Sequence, residues 1–180
     1  MQFDAQQPMC TMNEYGQSLV LVNERKKEVA DEKGAKSKVY EYDAVWLNTK
    51  KAAKEDVLEA AKEEMMKEIT TYDESSSVNE FSLGGFNTWL PKDTRMGLRA
   101  NVEDSEALNS ESIDFWLGLQ RFTIKTADAK KMLAALEMYA FECYGVTASH
   151  KANVSAMTSV EDVLNYDYTT GYPDKLTFNV

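Results

Sequence analysis

The sequence predicts an α+β protein, with a β-hairpin and an amphipathic helix near its N-terminus and two further hairpins and several helices in the remainder. Three observations lead to this fold class. Apolar residues alternate with a period of two in KVYEYDAVWL, residues 38–47. They recur with a helical period in residues 52–70 and 126–144. Glycines lie between short apolar runs at two places, as they do in tight hairpins.

Composition indicates a folded chain and argues against nucleic-acid binding. The 180 residues are 43% hydrophobic and 28% charged, with only three prolines, which is typical of a folded chain, and the length suffices for one domain or for one domain with a small appendage. Thirty acidic residues against twenty basic ones give a net charge of -10. The lysines alternate with glutamates in residues 50–69 instead of forming a basic face. A surface of this kind repels phosphate backbones.

The N-terminus and the two cysteines predict synthesis in a reducing cytoplasm. No basic start followed by an apolar run is present, so we expect no secretory signal. No apolar stretch is long enough for a membrane span, and we expect no membrane insertion. Cys10 and Cys143 are far apart in the chain and cannot form a disulfide framework.

The first hairpin is predicted from SLVLV, residues 18–22, and from residues 38–47. In the second strand the period of two predicts two faces. The aromatic face contains Tyr40, Tyr42, Ala44 and Trp46, and the other contains Val39, Glu41, Asp43, Val45 and Leu47. The charged residues 23–37, which include Gly34, are predicted to be a long solvated loop, with a partner contact as the alternative.

The helix of residues 52–70 has a narrow apolar stripe of Val57, Leu58, Ala61, Met65 and Ile69. Its charge pairs at i,i+4 are of both signs, so we expect docking to stabilise it more than surface pairing does. TYDESSSVNE, residues 71–80, then breaks the helical pattern and is the best linker candidate. The sequence therefore predicts an N-terminal attachment part, residues 1–75, and a C-terminal α+β domain, residues 76–180.

The second part contains two hairpin-and-helix pairs. FSLGGFNTWL and SIDFWLGLQRFTI predict hairpins that turn at Gly84–Gly85 and at Gly118. A helix follows the first hairpin from Pro91, with Asp93 or Thr94 as its cap, and a stronger helix follows the second from Thr126. The buried stripe predicted for the stronger helix is Ala129, Met132, Leu133, Leu136, Ala140 and Cys143. Phe81, Leu83 and Gly84 match Phe115, Leu117 and Gly118, which hints at a duplicated unit.

The only histidine, His150, follows Cys143 by seven residues. Gly145 stands where a helix-ending glycine belongs, so the pattern predicts a corner, a new helix from Thr147 and no shared face for Cys143 and His150. A zinc site would need more ligands at short spacing. We therefore predict that Cys143 belongs to the core and His150 to the surface or the corner. No catalytic, cofactor-binding or metal-binding residue is predicted.

The end of the chain is predicted to be a short helix followed by an aromatic tail. Thr158 and Glu161 form a capping box in TSVEDVL. NYDYTTGYPDKLTF, residues 165–178, contains turn residues and is predicted to fold back on the helices. The alternative is that its tyrosines reach a neighbouring subunit, since tyrosine is favoured at interfaces.

Five segments follow one another in residues 72–180 in the order WLPKDTRMGL, DFWLGLQRFTI, ALEMYAFECY, VTASH and YDYTTGYP. With these segments the region resembles a domain of unknown function that recurs in bacteriophage and prophage proteins encoded among tail and tail-fibre genes. The family is named for no activity, so the resemblance carries over no catalytic residues. It implies a virion or assembly component.

We therefore expect a non-enzymatic structural component of a phage tail, an adaptor or fibre-associated subunit that acts through protein–protein contacts in the virion. The alternative is a tail-fibre assembly chaperone that is not retained in the particle, and an enzyme with an unrecognised site is a third class. The expected partners are other tail proteins or copies of itself, with no small-molecule substrate. The residues predicted to contact a partner are Tyr40, Tyr42, Trp46, Val57, Ala61, Met65 and Ile69.

Overall fold

The computed structural model describes residues 1–7, 10–12, 17–30, 36–47 and 54–179 and confirms the α+β fold class. Two compact units are present: Met1–Glu68 with Lys151–Tyr168, and Ile69–His150 with Thr169–Val180. The strands are β1 Gln2–Phe3, β2 Cys10–Met12, β3 Ser18–Ala30, β4 Lys36–Leu47, β5 Phe81–Leu83, β6 Phe86–Thr88, β7 Ser112–Leu117, β8 Gln120–Lys125 and β9 Thr177–Phe178. The helices are α1 Lys54–Glu74, α2 Lys92–Ala107, α3 Thr126–Ala156 and α4 Val160–Leu164. Among the described residues, none of these helices combines the length and the apolar character that crossing a bilayer requires.

The two compact units differ from the predicted division at residue 75. The boundary falls between Glu68 and Ile69, and residues 151–168 group with the first unit. The segment predicted to be a linker is instead a hydrogen-bonded turn. α1 continues to Glu74, the Ser75 hydroxyl donates to the carbonyl of Tyr72 at 2.7 Å, and Val78 is completely buried. Serines at the end of a helix can bond to its last carbonyls, so a serine run does not require a flexible linker.

The first unit contains a four-stranded antiparallel sheet with the order β1-β4-β3-β2. The predicted hairpin of β3 and β4 is confirmed, but the charged stretch is not the predicted loop. Residues 23–30 and 36–37 are strand, and Gly34 with its predicted partner contact lies outside the described residues. Ion pairs across the ribbon join Arg25 to Asp43 at 2.7 Å and Lys27 to Glu41 at 2.6 Å. Residues 24–30 of β3 are all exposed, so this part of the strand has no buried face and lacks the alternation that identifies a strand in sequence.

A β-bulge interrupts the pairing of β3 with β4. Val22 pairs with Asp43 and Arg25 with Glu41, so two residues of β3, Asn23 and Glu24, lie opposite one residue of β4, Tyr42. Asn23 has φ +57°, a left-handed conformation that asparagine adopts more readily than most residues. The bulge changes which side chains of β3 share a face with those of β4.

The second unit contains the two predicted hairpins, and both are confirmed. β5 pairs with β6 and β7 with β8, and Gly84, Gly85 and Gly118 all have positive φ. The matched residues also have the same surroundings, because Phe81 and Phe115 are both 1% exposed. The predicted fold-back of the tail on the helices is confirmed, because the carbonyl of Thr170 bonds to His150 of α3 and the Tyr172 hydroxyl lies 3.0 Å from that of Thr147. The tail also adds a strand that was not predicted: β9 pairs in parallel with β5, and Phe178 packs edge-on against Phe81.

The buried Arg95 of α2 is held by three groups of the second unit. Its Nε donates to Glu137 of α3 at 2.7 Å, and its Nη1 donates to the carbonyl of Leu90 at 2.6 Å. The guanidinium also lies over the ring of Trp89 at 5.2 Å. The predicted side-chain cap of α2 is absent, since the N-cap residue is Pro91 and makes no side-chain capping bond. An arginine with these partners fixes α2 against α3.

The predicted corner at Gly145 is wrong, because α3 is one helix from Thr126 to Ala156. Gly145 lies inside this helix and is not among the glycines with positive φ. Cys143 and His150 are therefore seven residues apart on one helix, which places them on the same face. His150 is 8% exposed, so the prediction of a surface position is also wrong, whereas the prediction that Cys143 is buried is confirmed.

Two predicted helix caps also differ from the structure. The N-cap of α4 is Ser159, whose hydroxyl accepts from the backbone N–H of Asp162, and not Thr158. Glu161 instead accepts a hydrogen bond from the backbone N–H of Asn23 at 3.2 Å, at the bulge of the same unit. Thr126 begins α3, but its hydroxyl donates to the carbonyl of Ser110 at 2.6 Å. The sequence pattern indicates a polar residue at the start of each helix, but Glu161 and Thr126 bond to distant parts of the chain instead of capping their helices.

We expect Phe115→Ala to destabilise the protein by about 3–5 kcal/mol, since it removes a buried aromatic ring and leaves a cavity. The neighbouring Trp116 is 65% exposed. Trp116→Ala should therefore change the free energy of unfolding by less than about 1 kcal/mol. Urea denaturation followed by circular dichroism measures both values. Equal losses for the two variants would contradict the assignment of Phe115 to the core.

Candidate interaction surface

One face of α3 belongs to the core of the second unit. Leu133, Leu136 and Tyr139 are buried there, and Cys143, Thr147 and His150 continue the same face toward the C-terminus. The first three of the predicted buried positions, Ala129, Met132 and Leu133, are confirmed, as are Leu136 and Cys143, while Ala140 is only partly buried. Because this face is fully used by its own unit, the opposite face of the helix points away from that core.

The opposite face of α3 carries large apolar side chains in solvent. Phe141 and Tyr144 are each 69% exposed, and Met138 is 57% exposed. Ala134, Gly145 and Ala148 lie among them and are exposed too. We call these six residues of the second unit the outer face of α3. Scattered exposed apolar residues are ordinary, but several on one rigid helix face are typical of a protein-binding surface.

Most of the residues predicted to contact a partner are buried within the chain. Tyr42, Val57, Ala61, Met65 and Ile69 are each 5% exposed or less. Their side chains are therefore not presented at the surface. Trp46 is half exposed and Tyr40 partly exposed, and a contact through these two stays a prediction.

Tyr42 is buried because the N-terminal segment and the bulge surround it. The ring of Phe3 packs edge-on against it, with 5.9 Å between centroids. Its hydroxyl donates to Glu24 at 2.8 Å and accepts from the backbone N–H of Gln7 at 3.1 Å. The hydrogen bond from the Tyr42 hydroxyl holds the pKa of Glu24 below its usual value, and burial raises the pKa of Tyr42. No sequence pattern predicts that Phe3 covers Tyr42, because Phe3 belongs to the two-residue strand β1.

A cavity of about 380 Å³ lies beside the bulge of the first unit. Its polar lining includes Gln6, Glu24, Ser159 and Glu161. Glu24 already accepts from Tyr42 and from Gln6, and Glu161 accepts from the backbone of Asn23. These bonds hold the bulge, the N-terminal segment and α4 together within this unit. Glu24 and Glu161, which line the cavity, therefore already take part in hydrogen bonds within the first unit.

His150 and Thr147 belong to a hydrogen-bonded network in the second unit. The Thr147 hydroxyl donates to Asp73 at 2.8 Å, so the Tyr172 hydroxyl, 3.0 Å away, donates to Thr147. His150 Nε2 donates to the carbonyl of Thr170 at 2.9 Å, which fixes the proton on that nitrogen. Burial raises the pKa of the Tyr172 hydroxyl. The network attaches residues 170–172 to α3.

The Cys143 thiol lies in an apolar cluster with Val78 and Tyr139. Burial raises its pKa, which disfavours the thiolate that would act as a nucleophile or a metal ligand. The Tyr139 hydroxyl donates to the carbonyl of Val78 at 2.6 Å. Over the part of the chain that the structure describes, no group of three or more His, Cys, Asp or Glu side chains could hold a metal ion.

The outer face of α3 was missed in the sequence, although a signal is present. Ala134, Met138, Phe141, Gly145 and Ala148 follow one another at spacings of four and three residues. The sequence interpretation ended this helix near Tyr144 and therefore cut the pattern in the middle. A helix with apolar residues on two opposite faces also does not show the usual single stripe.

Comparison with protein-family models, with curated proteins and with solved structures finds no match to this chain.

We expect Thr147→Val to destabilise the protein by about 1 kcal/mol or more, because it removes the group that links Asp73 to Tyr172. Ser149→Ala is the matched control, since Ser149 is exposed on the same helix. Thermal unfolding of both variants measures the difference. If Thr147→Val is as stable as Ser149→Ala, the network does not contribute to the stability of the fold.

The Arg25 guanidinium, with help from the Asn23 amide, lowers the pKa of Asp43 to about 2. A lowered pKa stabilises the folded state above the unfolded value of about 3.9, and this contribution is lost as the pH falls through about 2. We expect the difference in melting temperature between the wild type and Asp43→Asn to be constant above about pH 5, to shrink as the pH falls, and to be mostly lost by about pH 2. NMR titration of Asp43 checks the pKa directly. In Arg25→Gln the midpoint should return toward its usual value, and an unchanged midpoint would contradict the assigned cause.

Proposed function

We propose that the protein is a non-enzymatic structural component of a bacteriophage tail, an adaptor or fibre-associated subunit that acts through protein–protein contacts. The outer face of α3 is the observation that carries the proposal. Its exposed phenylalanine, tyrosine and methionine are of the types enriched where proteins meet. The resemblance of residues 72–180 to a domain encoded among phage tail genes supplies the setting.

The rigidity of α3 supports a contact role for this face. Aromatic side chains on a helix that its own core already holds lose little conformational freedom when a partner covers them. Phe141 and Tyr144 have two side-chain torsions each and offer a large contact area. A partner that covers them gains apolar burial without having to order the helix.

The state of the reactive side chains supports a role without catalysis. His150 donates to a backbone carbonyl, and Cys143 lies in an apolar cluster with a raised pKa. Both groups hold the tail and α3 together. A nucleophile or a general base must be accessible to a substrate, and both side chains are buried. The net charge of -10 further disfavours nucleic acid as the partner.

Mass spectrometry of purified particles of the phage that encodes this chain tests the proposal. We expect the chain at a fixed ratio to the tail proteins, and we expect Phe141→Ala to reduce its incorporation because an interface aromatic is lost. Leu108→Ala is the control, since Leu108 is 79% exposed but lies at the end of α2.

Two other outcomes would contradict the proposal. If the chain is absent from finished particles but particles without its gene lack tails or fibres, it is an assembly chaperone and not a structural component. If particles formed without it are complete and infectious, neither role applies.

A further inference from the structure

We infer that the outer face of α3 is a homodimer interface, on which α3 of a second copy packs in the antiparallel direction. The inference rests on the proposed function in assigning this face to protein contact. It goes further because it names the partner, the direction and the pairing of residues. All residues of this face belong to the second unit.

The exposed residues of α3 have the spacing of a helix–helix seam. Ala134, Met138, Phe141, Gly145 and Ala148 are separated by four, three, four and three residues, and all five are exposed. Leu136, Cys143 and His150 lie on the opposite side of the helix and are buried. A short seam is sufficient here, because the helix is already folded and a partner does not have to nucleate it.

The order of large and small residues makes the seam complementary to itself. In an antiparallel pair related by a two-fold axis beside position 143, Phe141 faces Gly145 of the second copy, and Met138 faces Ala148 of the second copy. Each large side chain therefore meets a small one, and the relation is reciprocal, as two-fold symmetry requires. In a parallel pair Phe141 would face Phe141 and Gly145 would face Gly145, which leaves a crowded layer next to an empty one.

Gly145 supports a close approach from outside the chain. A glycine in a helix is less favourable than alanine, so Gly145 lowers the stability of α3. Among the described residues, a Cβ added at Gly145 would meet no atom within 4 Å, and its φ is not positive, so neither close packing nor backbone conformation requires glycine there. In the antiparallel pair the missing Cβ leaves the space that Phe141 of the second copy fills.

The flanking residues predict the strength and the salt dependence of the dimer. In this antiparallel pair the two Tyr144 side chains, one from each copy, lie beside each other on one flank of the seam. The two Glu142 side chains lie beside each other on the other flank. The tyrosines add contact area, whereas the glutamates repel each other, and each chain carries a net charge of -10. The seam is smaller than a standard interface of about 1,600 Å², so we expect a dissociation constant on the order of micromolar that falls as salt is added.

Sedimentation equilibrium of the full chain across a range of concentrations tests the dimer. We expect a monomer–dimer equilibrium that Phe141→Lys weakens by about thirtyfold or more. Leu119→Lys is the control, since it makes the same change of charge at a side chain that is 98% exposed on the β7–β8 turn. Its dissociation constant should stay within about twofold of the wild type, because a single distant surface charge is largely screened.

A comparison of two glycines separates dimer packing from helix stability. Gly97 of α2 is also exposed, and a Cβ added there likewise meets nothing within 4 Å. At concentrations below the dissociation constant, Gly145→Ala and Gly97→Ala should both raise the melting temperature by about 2 °C. Only Gly145→Ala should also weaken the dimer, by about tenfold or more, which equals about 1.4 kcal/mol.

Disulfide trapping tests the direction. Met138→Cys mixed with Ala148→Cys should give a cross-linked heterodimer under mild oxidation, and neither variant should cross-link efficiently with itself. The wild type treated in the same way gives the background from Cys10 and Cys143. In addition, Glu142→Gln should tighten the dimer, because it removes the repulsion at the axis.

Three results would overturn the inference. These are a monomer at the highest soluble concentration, a dimer that Phe141→Lys and Gly145→Ala leave unchanged, and self-cross-linking of Met138→Cys that indicates a parallel pair. None of them would affect a role in the tail through other partners. Conversely, absence of the chain from phage particles would contradict the tail assignment and leave the dimer intact.

Discussion

Burial of one face of α3 is the constraint on which the second unit depends. Leu133, Leu136 and Ala129 contact the cluster that contains Phe81 of the first hairpin of this unit and Phe115 of the second. Further along the same face, Thr147 and His150 form hydrogen bonds with the chain that returns at residues 170–172. The hairpins are too short to be stable alone, so their positions follow from this helix. Arg95 adds a polar attachment of α2 to the same helix.

The same constraint explains why Cys143 and His150 are buried. Cys143 and His150 share a face of α3, but that face is the one that the core uses. Burial keeps the thiol protonated, and a backbone carbonyl occupies the imidazole N–H. What remains accessible is the outer face, where Phe141 and Tyr144 are held in place by a helix whose other side is packed. The fold therefore presents a shaped apolar surface, which suits recognition of another protein.

The sequence predicted the parts of the fold whose signals are local. The Gly-Gly and Gly118 hairpins follow from the need for positive φ, and the inner stripe of α3 follows from helical periodicity. The parts that depend on distant contacts were not predictable in this way. The charged end of β3, residues 24–30, is exposed and joined to β4 by pairs such as Arg25–Asp43, so it shows no alternation of apolar and polar residues. Tyr42 is covered by Phe3, and no local pattern joins those two residues. The cap of α4 is Ser159, one residue after the predicted Thr158, and the hydroxyl of Thr126 bonds to Ser110 instead of capping α3. Several hydroxyls compete for each helix end, so the sequence alone does not identify the one that caps it.

Gly145 shows why one local signal can have two meanings. A glycine after an apolar helical stretch is typical of a C-cap, because a left-handed residue satisfies the last carbonyls. The chain past Gly145, however, continues the buried face with Thr147, His150 and Val154, and the burial of these residues outweighs the small helical penalty of glycine. With the helix uninterrupted, the absent Cβ lies on the exposed side, between Phe141 and Ala148. Gly145, predicted to end the helix, therefore leaves a recess in the outer face of α3. Phe141, four residues earlier, has a side chain of the size that would fill such a recess.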